Sequence, residues 1–183
     1  LKNDKLQLNI CDITVDGAGI GKVDGYPLFV KGAITGDVAE VVVTKTNKTY
    51  GFARVERFLE YSCLRQEAKC NSFEKCGGCT IMHLKYEHQL KIKESIVKNN
   101  FAKIGGYKEG EYVLNDIVGS KNINHYRNKA QFPVGVFKSK AVCGFYQPKS
   151  HNVVTVKNCL IQNEKINKIV EICVLFLNKY KKK

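Results

Sequence analysis

Three cysteines within ten residues constrain this chain more than any other feature of its sequence. Cys70, Cys76 and Cys79 lie in the stretch Cys-Asn-Ser-Phe-Glu-Lys-Cys-Gly-Gly-Cys. Three thiols at this spacing can fold around one metal centre, because glycine lets the backbone approach closely and point its N–H groups at sulfur. The stretch therefore predicts an irregular metal-binding loop.

A metal centre of this kind needs a fourth ligand. Structural zinc favours two pairs of ligands, such as two Cys-x-x-Cys units. Iron–sulfur clusters accept uneven spacing that a distant cysteine completes. The spacing favours an iron–sulfur cluster and leaves zinc open. The apolar patterns around Cys11, Cys143 and Cys173 predict core positions for them. The candidates for the fourth ligand are Cys63, Cys143, Cys159, Cys173 and His83.

The remaining composition narrows the class of protein. Eight cysteines in a chain with no recognisable secretion signal argue against a disulfide framework. They are typical of a cytoplasmic protein with buried thiols or metal ligands. No apolar run approaches the ~20 residues needed to cross a bilayer, so no membrane association is predicted.

Positive charge is concentrated in the last third of the chain. Residues 117–183 hold 13 Lys and Arg against 2 Asp and Glu, which is +11 of the total net charge of +13. Such a surface attracts a polyanion and makes binding fall as salt rises. We favour a nucleic acid as that polyanion, the alternative being an ordinary solvated lysine-rich surface.

Short alternating apolar runs predict five strands in the first sixty residues. Glycine-rich turns separate them, as at 16–19 and 24–27. Five short strands with such corners indicate a small closed barrel. Further on, the pattern predicts a helix over 83–104 and strands over 113–118, 126–137, 141–146 and 152–156. A last helix is predicted over 162–181, with apolar side chains on several sides that need cover from further protein.

These segments together resemble the RNA uracil-5-methyltransferases that carry a TRAM domain and a [4Fe–4S] cluster. The resemblance covers nearly the whole chain. It rests on the Cys-x5-Cys-Gly-Gly-Cys motif and on segments at 12–13, 17–21, 29–30, 32–37, 86–90, 126–129 (Tyr-Arg-Asn-Lys) and 151–162.

The resemblance implies an α+β fold in three parts. These are a five-stranded OB-like TRAM barrel at 1–61, an iron–sulfur connector with a helix at 62–106, and a partial α+β central domain at 107–183. It also implies a structural [4Fe–4S] cluster on Cys70, Cys76, Cys79 and, as the fourth ligand, Cys159. In this family the methyl donor S-adenosylmethionine binds a further catalytic domain. No such domain and no catalytic residue are recognisable here, so the chain alone is expected to be inactive.

The implied partner is RNA, with ribosomal RNA of the large subunit favoured over transfer RNA. In OB-like barrels, basic and aromatic residues on one face bind RNA. In the central domain, a basic and polar set is expected to alternate along one strand face. Two other functions stay open, a stand-alone RNA-binding module with structural zinc and a small ferredoxin-like electron carrier. The predicted RNA-binding residues are Phe29, Lys45, Lys48, Tyr50, Arg54, Arg127, Lys129 and Gln131.

Overall fold

A computed structural model describes residues 2–180. The described chain divides into two compact units. One contains the residues up to Glu67 together with Ile81–Val118, and the other contains Ala68–Thr80 and the residues from Gly119 onward. The predicted middle segment, 62–106, is thus shared between the two units. No helix in the described ranges is long and apolar enough to cross a membrane.

Five strands of the first unit form a closed barrel, which confirms the prediction for this part of the chain. The barrel order is β1-β2-β3-β5-β4, in which β3 and β5 are parallel and the other neighbours antiparallel. The strands are β1 Lys5–Ile13, β2 Ala18–Val23, β3 Tyr26–Lys31, β4 Val38–Thr46 and β5 Gly51–Glu60.

Alternation along these strands sends one set of side chains into the barrel. The core is made of small and medium aliphatic residues, as suits the interior of a narrow barrel. Burial of such a set is the main stabilising contribution to a fold of this kind. Its members on the strands are Leu8, Ile10, Leu28, Val30, Ala39, Val41, Val43 and Ala53, and Ala33 joins them from the connection between β3 and β4.

A buried ion pair fastens the chain after the barrel. The Asp37 carboxylate is fully buried and accepts two hydrogen bonds from Arg65, at 2.8 Å from Nε and 2.6 Å from Nη2. It also accepts the backbone N–H groups of Ile34 at 2.7 Å and Ser62 at 3.0 Å. The guanidinium lies 4.6 Å from the ring centroid of Phe58. Each carboxylate oxygen is satisfied, and the pair ties the chain after β5 to the connection before β4.

The predicted first helix is confirmed with slightly shorter bounds, as α1 Tyr86–Lys103. The residues before it add a small second core, in which Leu84 packs with Ile13 and Ile34.

The second unit contains a three-stranded antiparallel sheet and a helix. The sheet order is β6-β7-β8, with β6 Val134–Phe137, β7 Lys140–Tyr146 and β8 Val153–Thr155. The helix, α2 Glu164–Lys179, packs against β7. The last predicted helical residue, Lys181, lies outside the described residues. Several apolar side chains of α2 are exposed, among them Ile172 and Phe176, as expected for a helix that needs further cover.

Two strand predictions are wrong. Residues 113–118 form no strand, and Val113 and Val118 are 85% and 92% exposed. Of the predicted strand at 126–137, only Val134–Phe137 is paired in a sheet. Residue 127 makes an isolated bridge to Gln162. An alternating pattern forms a strand only where a partner edge is available to satisfy its backbone, and residues 113–118 and 128–133 pair with no such edge.

Candidate nucleic-acid interface and cysteine site

Strand pairing brings an aromatic group together on the outside of the barrel. Phe29 of β3 lies opposite Phe52 of β5 in the parallel ladder. The next pair in the ladder, Val30 and Ala53, is buried in the core. Because side chains alternate along a strand, the rings of Phe29 and Phe52 point outward. Tyr50 completes the group just before β5. Ring centroids are 5.6 Å apart for Phe29–Tyr50 and 5.7 Å apart for both pairs with Phe52.

This aromatic triad (Phe29, Tyr50 and Phe52) is open to solvent. Tyr50 is 38% exposed and Phe52 is 40% exposed, whereas Phe29 is half-buried beneath them. Three clustered rings, two of them at the surface, form an exposed apolar patch on this side of the barrel. Their spacing allows a planar group to stack on an exposed ring.

Cations surround the triad. Lys45 lies opposite Phe52 in the β4–β5 ladder, and Arg54 lies opposite Lys31 in the β3–β5 ladder. Lys48 is exposed in the turn between β4 and β5. None of Lys45, Lys48 and Arg54 forms an ion pair within residues 2–180. By contrast, Arg57 on the same strand is paired with Glu40 at 2.8 Å. Within the described part of the chain, Lys45, Lys48 and Arg54 are therefore unpaired cations near the rings.

The sequence prediction missed Phe52, although it named Phe29, Tyr50 and the three cations. The signal was present, since Phe52 is two residues before Arg54 in a strand and therefore shares its face. Ring–ring contact with Phe29 depends on the pairing of β3 with β5, which the sequence pattern did not give.

The predicted basic strand face of the second unit is wrong in its geometry. Arg127, Lys129 and Gln131 are all exposed but belong to no sheet strand, so no pleat places them on one face. The backbone of Arg127 is instead tied to the chain after Cys159. Its N–H donates to the Ile161 carbonyl, and its carbonyl accepts the Asn163 N–H, both at 2.9 Å.

The four predicted cysteine ligands lie in the second unit, where their thiols interact electrostatically. Cys159 is buried, and Cys70, Cys76 and Cys79 are half-buried. Burial, followed by the neighbouring thiols of Cys159, Cys76 and Cys70, raises the pKa of Cys79 to about 11, against a lowering by Arg127. Burial also raises the pKa of Cys76, with further contributions from Cys159 and Cys70.

The loop between Cys76 and Cys79 is held by backbone contacts. The Gly77 N–H donates to the Tyr146 carbonyl at 3.0 Å, which joins the loop to the end of β7. The Gly78 N–H donates to the Cys76 sulfur at 3.3 Å. Such N–H···S contacts are the kind that stabilise a thiolate ligand.

The thiol set suits a soft metal, but it does not converge on one point. Among the described residues, no three His, Cys, Asp or Glu side chains are grouped closely enough to hold a single metal ion. Cys79 is nevertheless within electrostatic range of the other three thiols. Four thiols are a donor set that both iron–sulfur clusters and structural zinc accept.

The predicted core positions of three other cysteines are confirmed only in part. Cys143 is buried in β7, as predicted for a core position, whereas Cys11 and Cys173 are exposed and their predicted core positions are wrong. Cys11 lies at an irregularity of the β1–β2 ladder, between Ile10 and Asp12, where regular alternation is interrupted. Cys173 is exposed on α2, although it lies near enough to buried Cys143 of β7 to affect the pKa of that thiol.

Comparison with protein families adds a decisive observation for the barrel. Residues 4–55 match the family model of the TRAM domain. This part of the chain is a TRAM domain. Its five strands, its aromatic triad and the free cations beside it all lie within or directly next to the matched residues.

Similarity to known proteins covers nearly the whole chain and is not limited to the TRAM domain. A protein of Listeria innocua is 42% identical over 179 residues, covering 98% of this chain and 39% of the relative. A protein of Clostridium tetani is 37% identical over 179 residues, covering 98% and 38%. A Halalkalibacterium halodurans protein is 40% identical over 169 residues, covering 92% and 36%. Each carries the name uncharacterized RNA methyltransferase. The chain thus spans about two fifths of the length of these relatives.

A solved structure shares the fold. It is the Pyrococcus abyssi tRNA (uracil-54, C5)-methyltransferase in complex with S-adenosyl-L-homocysteine. The TM-score is 0.59 at 22% identity, over 95% of this chain and 37% of that one. The likeness therefore includes the TRAM domain and the second unit.

Proposed function

We propose that this chain is the RNA-recognition part of an S-adenosylmethionine-dependent RNA uracil-C5 methyltransferase. The observation that carries the proposal is the aromatic triad on the TRAM barrel with unpaired cations beside it. Aromatic rings stack on unpaired bases, and Lys and Arg bind the phosphates between them. Duplex RNA buries its base faces, so this surface suits a single-stranded segment.

The substrate we propose is ribosomal RNA of the large subunit. The names of the similar proteins support an RNA methyltransferase. The structural neighbour from Pyrococcus abyssi acts on a uracil of transfer RNA. We favour ribosomal RNA because the chain resembles the family that combines a TRAM domain with a cluster-binding cysteine motif. Methyl transfer itself would rest on residues that the longer relatives carry beyond the matched part.

For the cysteine site we propose a structural [4Fe–4S] cluster held by Cys70, Cys76, Cys79 and Cys159. Support comes from the all-thiol donor set and from the placement of all four cysteines in one compact unit. The cluster would join the loop at 70–79 to residue 159, some eighty residues later in the chain. Zinc at the same thiols, in a stand-alone RNA-binding module, is the alternative outcome of the test below.

The RNA part of the proposal is tested by fluorescence anisotropy with three labelled RNAs. These are a single-stranded uridine-rich fragment of 23S ribosomal RNA, the same fragment annealed to its complement, and an unmodified transfer RNA. We expect the single-stranded ribosomal fragment to bind most tightly and its affinity to fall as salt rises. Equal, salt-independent affinity for all three would refute RNA recognition, and a preference for transfer RNA would refute the ribosomal substrate.

The metal part is tested by iron, zinc and acid-labile sulfide analysis of protein purified without oxygen. We expect about four irons and four sulfides per chain, with both lost or strongly reduced in Cys159→Ala. Cys63→Ala is the matched control, since Cys63 is exposed and belongs to the other unit. One zinc and no sulfide would overturn the cluster and support a structural zinc site.

A further inference from the structure

A buried asparagine of α2 holds the backbone of Cys159. The Cys159 N–H donates to Oδ1 of Asn167 at 3.2 Å, and Nδ2 of Asn167 donates to the Cys159 carbonyl at 3.0 Å. The same Nδ2 donates to Oδ1 of Asn158 at 2.9 Å. One carboxamide therefore binds both backbone groups of the cysteine, as a paired strand would.

A second asparagine makes the same kind of contact near the end of the helix. The Ala141 N–H donates to Oδ1 of Asn178 at 2.9 Å, and Nδ2 of Asn178 donates to the Ala141 carbonyl at 2.9 Å. Ala141 belongs to β7, which ends at Tyr146. The Tyr146 carbonyl in turn accepts the N–H of Gly77, between Cys76 and Cys79.

The cysteine site has two parts, the loop at 70–79 and Cys159, which we call its two arms. These contacts connect both arms to one helix, α2. Asn167 and Asn178 are eleven positions apart in the chain, which corresponds to about 16 Å along an α-helix. Asn167 is the buried residue of α2, while many of its apolar side chains are exposed. A polar group is buried at a cost unless its hydrogen bonds are made, so specific bonds rather than apolar packing seat the start of this helix.

We propose that Asn167 and Asn178 are positioning residues of the cysteine site. Asn167 fixes Cys159, and Asn178 fixes β7 and, through Tyr146, the Cys-Gly-Gly-Cys loop. The helix thereby sets the separation of the two arms that share the metal centre. This inference rests on the proposed metal function of the four thiols, but the hold of Asn167 on Cys159 is testable without any metal.

The first measurement uses metal-free protein. We follow alkylation of Cys159 by iodoacetamide, residue by residue, with buried Cys143 as the internal reference. Asn167→Leu removes all three side-chain bonds, and Asn167→Asp keeps the acceptor for the Cys159 N–H but loses both donated bonds. We expect Cys159 to react about tenfold faster in both variants, with Lys168→Leu on the exposed side of α2 as the control.

The second measurement follows cluster retention after anaerobic reconstitution with ferrous iron and sulfide. We expect iron release to a chelator to be about 10- to 100-fold faster in Asn167→Leu, the range seen for outer-shell partners of metal ligands. Asn178→Leu is expected to be affected less, and Asn167→Asp to an intermediate degree. Circular dichroism reports whether α2 remains folded in each variant. If α2 unfolds in Asn167→Leu, the iron-release rate of Asn167→Asp is used to test the positioning role instead.

The two proposals fail in different ways. If the wild-type protein takes up no iron, the cluster is refuted, and faster alkylation of Cys159 still supports the role of Asn167. If the wild-type protein holds the cluster and both Asn167 variants retain it equally well with unchanged alkylation, the positioning role is refuted.

Discussion

The N–H of Gly77 lies 3.0 Å from the carbonyl oxygen of Tyr146, and a Cβ added to Gly77 would lie 2.8 Å from that same oxygen. The contact is with backbone, which cannot rotate away as a side chain can. The cysteine loop therefore approaches the end of β7 at a distance that only glycine permits. Gly78 is different, because the nearest atom to an added Cβ is the Cys76 sulfur at 3.4 Å.

This difference gives a matched pair of variants. We expect Gly77→Ala to displace the loop from β7 and lower bound iron to less than about half of the wild-type content, since outer-shell contacts control metal affinity. Gly78→Ala should retain most of it, because its methyl group fits with a shift of a few tenths of an ångström. Iron and sulfide content after anaerobic purification measures both. Equal retention by the two variants would show that the contact with Tyr146 does not position the loop.

The aromatic triad predicts a loss of RNA affinity when one ring is removed. Phe52→Ala should weaken binding of a single-stranded RNA by about tenfold, because stacking on an aromatic ring contributes roughly 1–3 kcal/mol per base. Leu59→Ala is the control, because Leu59 is on the same strand and is 38% exposed, close to the 40% of Phe52. Anisotropy titrations at one fixed salt concentration compare them. An equal effect of the two changes would argue against base stacking on this face.

The sequence predicted the features that depend on neighbouring residues, and it failed for those that depend on contacts between distant segments of the chain. The TRAM barrel was predictable because apolar runs mark its strands and glycine, proline or polar turn residues mark its corners. The predicted strand at 113–118, and the first part of the one at 126–137, failed because no neighbouring edge pairs with them. Sequence spacing also brought out Cys70, Cys76 and Cys79. Nothing local indicated Asn167, whose partner is the backbone of a residue on another segment.

The free cations predict a change in the salt dependence of RNA binding. Each phosphate contact with a single strand contributes about 0.7 to the slope of log affinity against log salt. The double variant Lys45→Gln and Arg54→Gln should therefore flatten the slope by about 1.4. Arg57→Gln should leave it unchanged, since Glu40 already pairs with Arg57 through two hydrogen bonds of 2.8 Å. A smaller slope in Arg57→Gln than in the double variant would place the phosphate path elsewhere on the barrel.

His83 predicts a dependence of stability on pH in the first unit. Burial, then the charge of Arg65, lowers the pKa of His83 from 6.5 to about 4, against a rise caused by Asp37. The unfolded chain therefore binds the proton at higher pH than the folded chain does. The stability that neutral His83 contributes is complete above pH 6.5 and is lost as the pH falls towards 4.

We expect the free energy of unfolding to decrease by about 1–2 kcal/mol between pH 7.5 and pH 5 on account of this residue, after allowance for partial solvent screening. Urea titrations at the two pH values measure it. His83→Gln removes the titrating group and should show a correspondingly smaller decrease. The same decrease in wild type and variant would assign the pH dependence to other groups.

The most direct test of RNA recognition by the TRAM domain is photo-crosslinking to a single-stranded ribosomal RNA fragment that contains 4-thiouridine. The adducts are mapped by mass spectrometry of peptides that separate β3, β5 and α1. We predict adducts at Phe29, Tyr50 or Phe52, which are suppressed by high salt and by unlabelled RNA of the same sequence. Competed adducts confined to α1 or to the second unit, with none on β3 or at 50–52, would contradict the assignment of this face.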